Sequence, residues 1–250
     1  MIPRKRTFIN PQLKMVICIP SGITEVEKRA VKDSAEHAGA KDVYLIHEPM
    51  AAAIGIGIDV LEPKGNMIID VGGGTTEIAV LSLGGVVYAN SLRVAGDAMD
   101  GAIISYMRKQ FNLLVGEASA EKIKKEIGTA LPTSTNSYLM KGRDIRSGTP
   151  KEIALKEDDT VEALKPILIQ IVAGIKDALE KTPPELSADL VDMGLVLTGG
   201  GALLKNIDKL ITKETGLPVV IAEDPLSCVA LGTGKALDEE QTFSTMLIGG

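Results

Sequence analysis

Tryptophan is absent from this 250-residue sequence, and cysteine and phenylalanine are scarce, with two and three copies. Cys18 and Cys228 lie in the apolar stretches MVICIP and LSCVAL, which predicts that both are small buried hydrophobic residues. Two such cysteines exclude a disulfide-stapled scaffold and a cysteine-based zinc site.

Positive charge is in short supply too, because 27 Lys and Arg face 33 Asp and Glu, for a net charge of −6. This balance argues against a nucleic-acid partner held by bulk electrostatics. No apolar run is long enough to span a bilayer, and no apolar signal core follows the N-terminal basic residues. We therefore expect a soluble cytosolic protein.

The alternation of strand and helix patterns along the chain predicts an α/β fold. Residues 14–19 and 42–47 are apolar and β-branched, which is typical of buried strands. Between them, Thr24 and Glu27 have the spacing of a capping box, and Gly39 is placed to end the helix that the box begins. An Ala-rich helix is expected directly after the second strand, in PMAAAIGIGI.

A glycine triplet in DVGGGTTEIAVL, residues 70–81, separates two apolar runs. The run that follows is short and β-branched, so it predicts a strand, whereas a Rossmann turn or a Walker loop would be followed by a helix. The triplet is therefore predicted to be a hairpin. It is either a flexible turn or an anion nest, in which the amides of residues 72–75 face a phosphate and Asp70 holds Mg²⁺ through water.

Helical periodicity returns at residue 96, with apolar residues every four positions up to Phe111. A short charged helix is predicted at 119–128, and the polar stretch 129–156 has weak strand signals typical of a small exposed subdomain. A long helix is then predicted at 158–181, with Pro166 as a candidate kink.

A second glycine triplet, in LTGGGA at 197–202, is predicted to join a strand directly to a helix. Its glycines either let that helix pack close to its strand or leave room for a ligand. The small-residue helix ALGTGKAL is most simply a tightly packed core helix. Glu48, in HEPMAAAIG, is either a surface residue that caps the next helix or a functional carboxylate.

The ordered motifs HEPMAAAIG, DVGGGTTE, VLTGGGA and ALGTGKAL resemble those of the actin-like ATPases, and EKTPPEL and AEDPL resemble the MreB family of bacterial actins in particular. The likeness extends from about residue 3 to 240. It implies ribonuclease-H-like α/β lobes, with residues 1–60 forming part of a truncated first lobe. Residues 61–250 would form a near-complete second lobe with a small subdomain at about 96–156.

The resemblance also implies a site for ATP and Mg²⁺. In the family's pattern, Asp70 lies near the metal, and Glu48 orients the attacking water, with Thr75 as the second catalytic residue. The phosphate cradle would consist of Gly72, Gly73, Gly74 and Thr75. The adenosine would lie between one helix face and the second triplet, formed by Glu121, Lys124, Lys125, Gly199, Gly200, Gly201 and Ala202.

The sequence departs from the family at one motif, because no D-x-G-[ST] phosphate hairpin precedes Pro20, and DMG at 192–194 lacks the hydroxyl residue. We therefore expect a chain that begins inside the first lobe, binds ATP weakly and hydrolyses it very slowly. A non-catalytic, filament-binding remnant is one alternative. A small-molecule kinase is another, although the scarcity of aromatic residues disfavours its substrate pocket. A chaperone is disfavoured, because it would need a substrate-binding β domain, for which the sequence has no candidate.

The expected function is a cytoskeletal protein that self-associates into filaments and organises cell shape, with cell-wall synthesis and morphogenesis proteins as the partners that the resemblance implies. A membrane contact is expected in RKRTFIN, where three cations precede two apolar residues. This would place the protein at the inner face of the cell membrane, unless the segment is a disordered basic tail. The residues concerned are Arg4, Lys5, Arg6, Phe8 and Ile9.

Overall fold

The computed structural model describes residues 13–133 and 136–249, which form ten strands and nine α-helices. The strands are β1 Leu13–Ile19, β2 Ala40–His47, β3 Asn66–Val71, β4 Thr76–Ser82, β5 Gly85–Leu92, β6 Leu113–Leu114, β7 Ser137–Asp144, β8 Pro150–Lys156, β9 Leu195–Thr198 and β10 Val219–Ile221. The helices are α1 Glu25–His37, α2 Glu48–Ile56, α3 Gly96–Phe111, α4 Glu117–Ile127, α5 Glu157–Lys181, α6 Pro184–Met193, α7 Ile207–Thr215, α8 Cys228–Asp238 and α9 Glu240–Phe243.

The N-terminal unit consists of β1, α1 and β2, in which the two strands pair in parallel. The predicted capping box is confirmed, since the Thr24 side chain accepts from the Glu27 amide and Glu27 accepts from the Thr24 amide. Gly39 follows the end of α1 with φ +101°. Cys18, predicted to be buried, is only partly buried, whereas Cys228 is buried as expected.

A five-stranded sheet of order β10-β9-β3-β4-β5 forms the centre of the fold. β3, β9 and β10 run parallel, and β3, β4 and β5 form an antiparallel meander. One face of the sheet packs on α3 and α5 through a large apolar core that includes Met67, Ile69 and Ile78. The opposite face, which carries Ile68 and Leu81, packs on α2 and α8.

Helices α2 and α8 approach each other at backbone distance. A Cβ on Gly55 would lie 1.9 Å from the carbonyl oxygen of Cys228, and a Cβ on Gly232 would lie 1.7 Å from that of Ala51. Real Cβ atoms do not approach other atoms so closely, so both positions require glycine. The tight packing predicted for ALGTGKAL is confirmed on the face of Gly232, but the segment is not wholly a core helix, because Leu231 is 57% exposed.

The polar stretch between α4 and α5 contains the β7–β8 hairpin, which pairs with β6 in a three-stranded sheet. The long helix predicted at 158–181 is α5, and it runs unbroken through Pro166. The helix predicted directly after the second triplet begins later. A short 3₁₀ turn, Gly200–Leu203, intervenes, and Asn206, with φ +59°, precedes α7.

Candidate functional site

The first glycine triplet forms the predicted hairpin between β3 and β4. The Gly72 amide donates to the Thr75 carbonyl at 2.9 Å, which closes the turn. The Gly72 and Gly73 carbonyls accept from the amides of Gly96 and Asp97, the first residues of α3, at 3.1 and 2.8 Å. The hairpin is therefore fixed to the N-terminus of α3, and the exposed Gly73 and Gly74 lie at its tip.

A cleft of about 730 Å³ opens beside this hairpin, between the start of α3, helix α4 and the 3₁₀ turn. Its volume lies within the range of small-molecule sites. Residues predicted from both glycine triplets and from the charged helix meet there, although they are far apart in sequence. They are Gly72, Gly73, Glu121, Lys124, Lys125, Gly200 and Gly201.

The cleft also contains residues that the sequence did not single out. Asp97 lies close to the hairpin: a Cβ added to Gly73 would be 3.6 and 3.9 Å from the two Asp97 carboxylate oxygens. Leu203 and Leu226 supply exposed apolar surface on the opposite side. The signal for Asp97 was its place one residue inside α3, where a carboxylate is favoured by the helix dipole.

Lys124 and Lys125 of α4 differ in their surroundings. Lys124 is only 17% exposed, and its Nζ donates to Asp100 Oδ2 at 2.8 Å and to the Gly96 carbonyl at 3.0 Å. Lys125 is 69% exposed and pairs with Glu121 on the helix surface at 2.7 Å. Lys124 therefore joins α4 to α3 inside the cleft, and Lys125 lies at its rim.

The second triplet packs against the end of β3. A Cβ on Gly201 would lie 2.2 Å from Val71 Cγ1, whereas Gly200 has only Leu226 nearby, at 3.3 Å. Gly199 does not line the cleft, but it lies against Asp70. Ala202 is buried in the main core and does not line the cleft either.

Glu48, Asp70 and Glu77 form an acidic group outside the lining of the cleft. Burial, together with the charges of Glu77 and Asp70, raises the pKa of Glu48 to about 7. Burial and the Glu77 charge raise the pKa of Asp70 to about 6. Like charges in a poorly solvated place explain both shifts.

The surroundings of Asp70 are compatible with the predicted Mg²⁺. Among the described residues, no group of three or more His, Cys, Asp or Glu is arranged to hold a metal ion. A site that uses one carboxylate and water suits Mg²⁺, which retains several of its waters. Its charge would also offset the repulsion within the acidic group.

Thr75 is partly buried at the end of the hairpin, and Gly74 is exposed beside it. The residues of the expected membrane contact, Arg4 to Ile9, lie outside the described residues. Within the part of the chain that the structure describes, no helix is long and apolar enough to cross a bilayer.

The fold defines the chain as an actin-like ATPase-type protein. It belongs to the MreB/Mbl family, whose model matches residues 1–245. The cell shape-determining protein MreB of Escherichia coli K12 is 52% identical over 93% of this chain and 67% of its own length. The cell shape-determining protein Mbl of Bacillus subtilis is 46% identical over 94% of this chain and 70% of its own length.

Solved structures agree with this assignment. MreB5 of Spiroplasma citri bound to ADP matches with a TM-score of 0.89 and 38% identity, over 94% of this chain and 71% of that one. The same protein bound to AMPPNP matches equally well, with a TM-score of 0.89. The MamK double helical filament, at 20% identity and a TM-score of 0.79, shares the fold.

Proposed function

We propose that this chain binds an adenine nucleotide with Mg²⁺ in the cleft and assembles into filaments that organise cell shape. The observation that supports this most strongly is that two glycines of each triplet, Gly72 and Gly73 with Gly200 and Gly201, line one cleft together with the cationic helix α4. The MreB5 structures that resemble this chain contain ADP or AMPPNP, and MamK forms a filament. The E. coli relative is a cell shape-determining protein.

Each part of the site has a separate role in this proposal. The amides of Gly73, Gly74 and Thr75 hold the phosphates, because glycines let the backbone approach an anion closely. The Gly72 amide already donates to the Thr75 carbonyl, so Gly72 shapes the turn and does not bind the phosphates through its amide. The bare backbone of Gly200 and Gly201 leaves room for the purine, and Glu121, Lys124 and Lys125 contact the adenosine side. Asp70 holds Mg²⁺ through water, and the ion supplies charge stabilisation to the phosphates.

Hydrolysis, where it occurs, depends on Glu48 with Thr75. Positioning of the water and stabilisation of charge carry most of the catalysis in such sites. With a pKa of about 7, Glu48 can accept a proton from the attacking water near neutral pH. Residues 1–250 contain no D-x-G-[ST] motif, so we propose that these residues by themselves bind ATP weakly, bind ADP with similar affinity and turn ATP over very slowly.

Calorimetry with ADP and ATP, phosphate release by the chain and its Glu48→Ala variant, and pelleting with electron microscopy test this proposal. We expect filaments with ATP and Mg²⁺, and turnover that depends on Glu48. Phosphoryl transfer to a sugar or carboxylate without assembly at any concentration would overturn it. Micromolar ATP binding with rapid Glu48-dependent turnover would show that the hydrolysis is not impaired as proposed.

We propose further that residues 1–60 belong to a first lobe and 61–250 to a second, with the subdomain at about 96–156, and that morphogenesis and cell-wall synthesis proteins are partners. We also propose that the chain contacts the cytoplasmic face of the membrane through Arg4, Lys5, Arg6, Phe8 and Ile9. Flotation with anionic liposomes tests it, because Phe8→Asp with Ile9→Asp should abolish binding. Unchanged binding of that double variant would contradict the membrane contact.

A further inference from the structure

A row of polar side chains crosses four strands of the central sheet at one level. Thr198 of β9 lies opposite Asp70 of β3, which lies opposite Glu77 of β4, which lies opposite Ser91 of β5. Side chains directly opposite each other on neighbouring strands share a face of the sheet. The alternation along β3 and β4 places this row on the face of α2 and α8, beyond the apolar residues Ile68, Ala79 and Leu81.

Glu77 is the most unusual member of this row, since it is a carboxylate that is only 1% exposed. A second carboxylate, Asp70, lies directly across from it, and like charges in that arrangement are destabilising. An apolar residue would avoid this cost. Glu77 therefore needs a compensating role, and its hydrogen bonds indicate what that role is.

Two donors from different parts of the molecule reach the Glu77 carboxylate. The hydroxyl of Ser91 donates to Oε1 from within the sheet. The backbone N–H of Ser21 donates to Oε2 at 3.0 Å, across the junction with the N-terminal unit. Gly22 lies close to the same strand, because a Cβ added to it would be 3.3 Å from Ser91 Cβ. The turn after β1 is thus seated directly on β4 and β5.

This turn and Glu48 leave the N-terminal unit at the same end. Ile19, the last residue of β1, pairs with His47, the last residue of β2, and Glu48 follows His47 as the first residue of α2. Fixing Ser21 against the sheet consequently fixes the end of the unit from which Glu48 projects.

We propose that Glu77 is a positioning residue that fastens the N-terminal unit to the central sheet and so holds Glu48 in place within the acidic group. The effect on turnover depends on the function proposed for Glu48, but the fastening does not. The two parts can therefore be tested separately.

Glu77→Leu and Glu77→Gln are the informative variants. Leucine removes both acceptors, whereas glutamine can accept from the Ser21 amide through its oxygen and donate to the Ser91 hydroxyl through its nitrogen. We expect amide exchange at Ser21 to accelerate about ten- to a hundredfold in Glu77→Leu, as the loss of a charge-assisted hydrogen bond implies. Exchange in β3 and α3 should stay within about threefold, and glutamine should restore slow exchange at Ser21.

For the reaction, we expect Glu77→Leu to lower turnover at saturating ATP by about tenfold or more, with nucleotide affinity changed less than about threefold. Unchanged exchange at Ser21, uniform acceleration across the core, or a glutamine variant as impaired as the leucine variant would overturn the proposal. If the unaltered chain does not hydrolyse ATP, the proposed hydrolysis fails. In that case the exchange pattern alone supports or overturns the fastening.

Discussion

The carboxylate of Asp70 occupies the space that a side chain at Gly199 would need. A Cβ on Gly199 would lie 2.2 Å from Asp70 Oδ1 and 2.5 Å from the Val71 carbonyl oxygen, and the residue has φ +81°. The second triplet is therefore fitted to the predicted metal-site carboxylate as well as to the cleft. This contact connects the two halves of the proposed nucleotide site.

Substitution of Gly199 tests that fit. We expect Gly199→Ala to lower the free energy of unfolding by about 3 kcal/mol or more, because it adds a clash to a strained backbone. Nucleotide affinity should fall as Asp70 is displaced. The matched control is Gly216→Ala, which has φ +76° but no atom within 4 Å of the new Cβ. It should cost only about 1–2 kcal/mol, and equal losses in denaturant melts would rule out the clash.

Helix α8 offers a matched pair of glycines for the packing of α2. Gly232→Ala would bring a Cβ within 1.7 Å of the Ala51 carbonyl oxygen, whereas Gly234 has no neighbour within 4 Å. We expect Gly232→Ala to destabilise the fold by about 3 kcal/mol or more. Gly234→Ala should stabilise it by about 0.5–1 kcal/mol, through a better helix propensity. Urea unfolding of both variants tests this prediction. Similar midpoints would contradict the close contact between Gly232 and the Ala51 carbonyl.

The acidic group predicts a pH dependence with a defined sign. The folded pKa values of Glu48 and Asp70, about 7 and about 6, lie above the ordinary values of 4.5 and 3.8. Between these limits the folded chain binds more protons than the unfolded chain, so the contribution of the two groups to stability falls as pH rises. We expect Glu48→Gln to flatten the change in melting temperature between pH 4.5 and 7, measured without divalent cations. An unchanged slope would mean that Glu48 titrates normally.

Lys124 and Lys125 of α4 should respond unequally to the same substitution. Lys124→Met leaves the largely buried Asp100 carboxylate without its cation, and Asp100 Oδ1 already has no hydrogen-bond partner within the described structure. We expect a loss of about 1–3 kcal/mol of stability and weaker nucleotide binding. Lys125→Met should change stability by less than about 1 kcal/mol, because its ion pair is exposed. Thermal melts and calorimetry with ADP compare the two variants. Equal effects would contradict the different roles assigned to Lys124 and Lys125.

Local patterns in the sequence were sufficient to predict much of the fold. The β-branched run after the first triplet correctly indicated a hairpin, and Met99, Ile103 and Met107 are all buried on one face of α3. The capping box at Thr24 depends on neighbours three residues apart, so the sequence contains all of its parts. The resemblance to the family supplied the order of the motifs.

Features set by distant residues could not be predicted. Lys124 and Lys125 are adjacent, and only the packing of α4 on α3 decides which of them reaches Asp100, 24 positions away. No local pattern singles out Glu77, because its partners Ser21 and Ser91 come from other elements. Ala202 matched a motif of the nucleotide site, but in the structure it is buried in the main core.

The contact between α2 and α8 limits how the N-terminal unit can move. Since Gly55 and Gly232 let the two backbones touch, a shift of either helix along its axis would move a glycine away from the place where a Cβ does not fit. Sliding of either helix is therefore opposed by steric overlap, whereas a small rotation about the contact leaves both glycines in place. The glycine pair therefore predicts that any change in the orientation of the N-terminal unit on the central sheet would appear as a change of angle at constant helix register.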